Sequence, residues 1–151
     1  MKSSIVAALV LAASVAAAEA RTEWKGTGKI TDLNQVCLDV GWRKGSTVNL
    51  RYRPSGMSDN GKLSGFSVFY PYHAYGVRAK GRFTGALRKV RALGISAGGY
   101  GPDKGARFRF VSIKPGNYDE NTSRLSVTAE FINYGGDKGC TMRLKGKLKK
   151  Q

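Results

Sequence analysis

The chain has 151 residues, with 26 lysines and arginines against 10 acidic residues and a formal net charge of +16. That length suits one domain with a real core, and that charge favours anionic partners. One histidine and two cysteines, with no Cys-x-x-Cys, exclude a Cys/His zinc centre, and no metal or other cofactor is expected.

Residues 1–20 read as a secretory signal peptide. Lys2 gives the charged start, Ile5 to Ala18 the apolar stretch, and Ala18-Glu19-Ala20 the small-x-small cleavage pattern. Cleavage leaves residues 21–151 as a single domain and removes one lysine and one glutamate, so the net charge stays at +16. No later stretch is long and apolar enough to cross a membrane as a helix. No transmembrane segment is therefore expected in the mature chain. The expected location is the periplasm or the extracellular space.

After the signal, helical periodicity is almost absent and turn signals separate strand-like runs. Eight segments are predicted, at about 23–32, 35–42, 47–54, 62–70, 75–93 (one long or bent strand, or two), 105–114, 124–134 and 139–148. Asp59-Asn60-Gly61 is a hairpin turn signal. The tail from Lys145 to Gln151 is basic and is expected to fray.

Within the segments, cations alternate with apolar residues, as in Leu50-Arg51-Tyr52-Arg53 and Arg107-Phe108-Arg109-Phe110. A strand sends successive side chains to opposite faces, so each segment carries one apolar and one cationic face. The predicted fold is all-β: a small antiparallel up-and-down β-barrel of about eight strands, with a β-sandwich as the alternative. The inward set is rich in Trp, Tyr and Phe, which favours a filled core over a wide cavity. Cys37 and Cys140 are expected to form one disulfide, as befits an exported chain.

The candidate anion-binding residues are Arg51, Arg53, Arg78, Lys80, Arg82, Arg107, Arg109, Arg143 and Lys145. Acidic residues lie largely in turns, so these strand cations are expected to have few local partners. Arginine matches phosphate and carboxylate geometry best. The bend from Phe69 to Gly76 adds Tyr72, His73 and Tyr75, either an exposed aromatic recognition loop or a plug closing the barrel end.

Other motifs carry less. The run from Gly56 to Leu63 nearly matches a phosphate-binding loop, but Leu63 stands where Ser or Thr is required and no helix is expected to follow. Asn117-Tyr118-Asp119-Glu120-Asn121 lacks EF-hand spacing. His73 has no neighbouring carboxylate in sequence, and no hydrolase signature is present, so no catalytic residue is assigned and the chain is not read as an enzyme.

The expected function is that of an exported, non-enzymatic binding protein for an anionic envelope or extracellular component. Its partner is an anionic polymer or an acidic protein surface, with peripheral contact to a membrane surface as a further option. Two alternatives are a small hydrophobic-ligand carrier and an exported inhibitor of a hydrolase. The first resembles lipocalin-like barrels in strand count and size alone. The Gly-x-Trp signature of that family is absent, and Trp24-Lys25-Gly26 has the reverse order.

Overall fold

The computed structural model describes residues 22–57, 61–70, 73–95, 105–134 and 139–151, without the side chains of 73 and 92–95. The strands are β1 (Trp24–Leu33), β2 (Thr47–Arg53), β3 (Leu63–Tyr70), β4 (His73–Lys80), β5 (Arg88–Lys89), β6 (Arg91–Ile95), β7 (Arg107–Lys114), β8 (Arg124–Ile132) and β9 (Thr141–Lys150). One short helix, α1 (Gln35–Asp39), follows β1. All strand pairs are antiparallel, in the order β5-β7-β8-β9-β1-β2-β3-β4-β6.

Only Val90 separates β5 from β6, so 88–95 acts as one staggered rung. Its first half pairs with β7 and its second half with β4. The sheet therefore nearly closes on itself as an up-and-down barrel of eight strands, as the alternation predicts. Closure leaves few free strand edges.

The apolar faces point inward. Trp24, Tyr52, Phe66, Phe108, Phe110 and Phe131 are fully buried. Their rings interlock edge to face, with centroids 4.8 Å apart for Phe108–Phe131 and 5.1 Å for Tyr52–Phe110. Such pairs add about 0.5–1.5 kcal/mol each beyond area burial. At one end, Trp24 Nε1 donates to Thr122 O at 2.9 Å, and the Tyr52 and Tyr118 hydroxyls lie 2.5 Å apart. Burial pushes both phenols above their ordinary range. At the other end Trp42 and Tyr75 each meet Tyr134 edge to face.

Two expectations need correction. Residues 35–42 do not form a strand. The Asn34 side chain accepts from Cys37 N and caps α1, and it also accepts from Thr141 N at 3.1 Å and donates to Gly139 O at 2.6 Å. This short helix brings Cys37 to Cys140, and the disulfide forms with Cα atoms 4.8 Å apart. The basic tail does not fray either. It is the body of β9, held between β1 and β8, because Leu144 and Leu148 alternate with its lysines and are buried. The segment 75–93 follows the second of its two predicted forms, as two strands, β4 and the 88–95 rung. Gly81, at φ +70°, takes a conformation that disfavours any side chain and ends the first.

Candidate anion-binding surface

Because the barrel interior takes the aromatic residues, the alternating cations line its outside. Antiparallel register then brings them into rows across the strands. One row reads Arg124, Lys149, Lys25, Arg51, Ser67 across β8, β9, β1, β2 and β3. A second reads Arg53, Gly65, Arg78, Arg91 across β2, β3, β4 and β6.

Where these rows meet, the surface forms a groove of about 280 Å³. Gly65, Ser67, Ala74 and Gly76 make its floor, and Arg51, Arg53, Arg78 and Phe69 make its walls. The floor is low because β3 and β4 place small residues outward here. Arg53 and Arg78 stand on either side of Gly65, two strand spacings or about 10 Å apart at Cα. Phe69 supports the Arg51 guanidinium, 5.5 Å from the ring centre. A shallower depression of about 320 Å³ continues past Arg53 and Arg78 to Lys62.

Glu23 sits beneath this cluster and is 5% exposed. Its carboxylate pairs with Lys25 at 2.9 Å, with Arg51 at 3.3 Å and with Arg53. It thus fixes two groove arginines from below while their outer edges face the groove. Among the described residues no carboxylate lies within ion-pair distance of Arg78.

The other predicted cations fall elsewhere. Lys80 is exposed at the end of β4. Arg82 covers the Tyr118 ring at 5.5 Å and helps close the barrel mouth. Arg107 is exposed and faces Lys89 in register. Arg109 and Arg143 are not free, contrary to the expectation of unpartnered strand cations. They flank Glu130 in register and bind its carboxylate at 2.5 Å and 2.7 Å. Lys145 lies on the outer face of β9 opposite Lys29, in a concavity away from the groove.

The aromatic bend divides. Tyr75 is buried, 4% exposed, and packs on Tyr134 and Phe131, so it serves the core and is no exposed recognition residue. The physical reason is parity: Tyr75 shares the inward face of β4 with Val77, opposite Val68 and Phe66. Tyr72 and the side chain of His73 lie outside the described residues, as does most of the Asp59-Asn60-Gly61 turn. Leu63 opens a strand, so the near-match to a phosphate loop lacks the required helix. Asp119 spends its carboxylate locally, accepting from Asn121 N at 2.9 Å and Thr122 Oγ1 at 3.1 Å. Among the described residues no group of three His, Cys, Asp or Glu side chains is placed to hold a metal.

The two buried carboxylates make stability depend on pH. Burial opposes their ionisation, but hydrogen bonds from Lys25 and Arg53 to Glu23, and from Arg143 and Arg109 to Glu130, outweigh it. Both groups titrate below the ordinary 4.5. A carboxyl lowered on folding stabilises the fold above its unfolded pKa and loses that contribution as pH falls through its folded value. Unfolding free energy is therefore expected to decline from about pH 4.5 downward. Urea titrations of wild type and a Glu23→Gln/Glu130→Gln variant check this; the variant is expected to be less stable at neutral pH and flatter across the acid range.

No family model, characterised protein or solved structure matches the chain.

Proposed function

We propose that this protein is an exported, non-enzymatic binding protein whose basic exterior takes an anionic polymer of the cell envelope or extracellular space, with the arginine groove as its principal contact. The observation that carries this reading is the placement of like charges. Lys25 faces Lys149, Lys29 faces Lys145, Arg78 faces Arg91, Lys89 faces Arg107 and Arg124 faces Lys149, while the facing Lys25 and Arg51 already share Glu23. Like charges directly opposed on neighbouring strands are destabilising. Solubility needs net charge but not opposed pairs, and a chain could scatter the same cations without that cost. A ligand that supplies the missing negative charge removes it.

The groove suits such a ligand. Arg53 and Arg78 offer planar forks to a carboxylate or a sulfate or phosphate ester. Glu23 holds Arg53 in place, so less side-chain freedom is lost on binding. Among the described residues, large aromatic side chains pack together inside the barrel, which favours binding on the outside over carriage of a ligand within. The outward strand faces carry cations where a membrane barrel needs an apolar band.

The test is titration of an acidic polysaccharide, followed by calorimetry at physiological salt. Replacing both Arg53 and Arg78 by glutamine is expected to weaken binding by roughly tenfold or more. Unchanged affinity in that variant would show that the groove is not the site. Loss of wild-type binding as salt rises to physiological strength would reduce the effect to general charge attraction.

A further inference from the structure

A second concavity lies on the outside of β7, β8, β9 and β1, with a volume of about 590 Å³. It shares no residue with the arginine groove. Four lysines line it, Lys29, Lys114, Lys145 and Lys147, and the rest of its polar lining is threonine and serine. No carboxylate lines it, and among the described residues none of the four ammonium groups has an ion pair.

Its shape has a structural cause. Gly28 and Gly146 face each other in register at its base, and Leu50 packs against them from inside. The β1 and β7 strands are each bulged at its border, between Ile30 and Asp32 and between Phe110 and Ser112. Bulges and inward glycines sharpen the local bend of a sheet. The outer face here is therefore concave where a barrel exterior is ordinarily convex.

Ammonium and hydroxyl groups are interspersed across it. One row places Thr128, Lys145, Lys29 and Thr47 on successive strands, and the next places Lys114, Ser126, Lys147 and Thr27. Each ammonium thus has a hydroxyl as a register neighbour. This donor set differs from the groove's. Arginine forks bind a carboxylate or a phosphate in one fixed bidentate geometry, whereas ammonium and hydroxyl groups are point donors that can meet successive phosphate oxygens of a flexible chain from several directions.

We infer that this concavity is a second anion site, specific for a soluble chain carrying closely spaced phosphate groups. It goes beyond the groove proposed above and rests on different cations, so either can fail alone. A flexible chain can enter a recessed face that a flat lipid surface cannot follow. The lining also offers no exposed apolar side chain to insert into lipid; its Val127 is buried.

The experiment uses inorganic polyphosphate as probe, with vesicles containing phosphatidic acid as the competing surface. Three variants are compared with wild type: Lys29→Gln/Lys145→Gln/Lys147→Gln, Thr47→Val/Thr128→Val, and Arg53→Gln/Arg78→Gln. The lysine variant is expected to weaken polyphosphate binding by about tenfold or more and to reduce the salt slope by about one per lysine. The threonine variant is expected to weaken binding by a few fold at an unchanged salt slope. The arginine variant is expected to bind polyphosphate nearly as wild type does. Thermal melting provides the control on folding, and removing the Lys29–Lys145 opposition is expected to raise the melting temperature while affinity falls. Equal losses in the lysine and arginine variants would overturn the inference. So would an unaffected lysine variant, or vesicles that displace polyphosphate from wild type.

Discussion

Replacing Cys37 and Cys140 by alanine is expected to lower the unfolding free energy by about 4.7 kcal/mol, the chain-entropy value for a closed loop of roughly 100 residues. The two cysteines are 103 residues apart in sequence. Both are fully buried, so alanine avoids stranding a hydroxyl in the core. The bridge also sits at a particular place. Cys37 follows β1 and Cys140 precedes β9, and the β1–β9 pair is the seam that joins the two ends of the chain. Asn34 reinforces the same seam with its bonds to Gly139 and Thr141. Equilibrium urea unfolding, oxidised against variant, measures the loss. A change under about 1 kcal/mol would mean that the seam holds through strand pairing alone, against the roughly 2–5 kcal/mol usual for loss of a native disulfide.

Gly26→Ala is expected to cost about 3 kcal/mol or more. A Cβ at residue 26 would lie 2.0 Å from Lys147 O, 2.9 Å from Lys147 C and 3.0 Å from Leu148 Cα. All three atoms are backbone of β9, so no rotamer change relieves the clash and the strands must part. Gly146→Ala provides the graded comparison. Its nearest obstacle is Leu50 Cδ1 at 2.3 Å, the end of a side chain, with Thr27 O next at 3.0 Å. It is expected to cost less than Gly26→Ala. Gly65→Ala meets nothing closer than 4.0 Å and is expected to be nearly neutral for stability. Urea midpoints for the three variants give the order directly. A neutral Gly26→Ala would contradict the close approach of β1 to β9.

Much of the fold was legible because a strand has a period of two. Phe108 and Phe110 alternate with Arg107 and Arg109, and that parity alone sends the phenylalanines in and the arginines out. The same parity, counted back from Arg78 and Lys80, places Tyr75 inward. The helix at 35–39 was not legible, since one turn has too little periodicity to detect and its formation depends on Asn34 and the disulfide.

The candidate site was legible only in part. Sequence identifies outward cations but not which of them become neighbours, because that needs the register between distant strands. Register brings Arg109 and Arg143 to Glu130, though Glu130 and Arg143 are 13 residues apart. It likewise sets Arg53 over Glu23 and gathers Lys29 with Lys145. The serines and threonines of the second concavity read in sequence as ordinary outward strand residues. Their meaning comes from sharing one recessed face.

The most direct measurement is backbone amide mapping by NMR, with the purified protein titrated by an acidic polysaccharide at physiological salt. Saturable shifts are expected to concentrate at Arg51, Arg53, Gly65, Ser67, Gly76 and Arg78, with little change along the charge-paired row of Arg109, Glu130 and Arg143. Shifts spread evenly over every cationic row, or none at the groove, would contradict the groove as the principal contact.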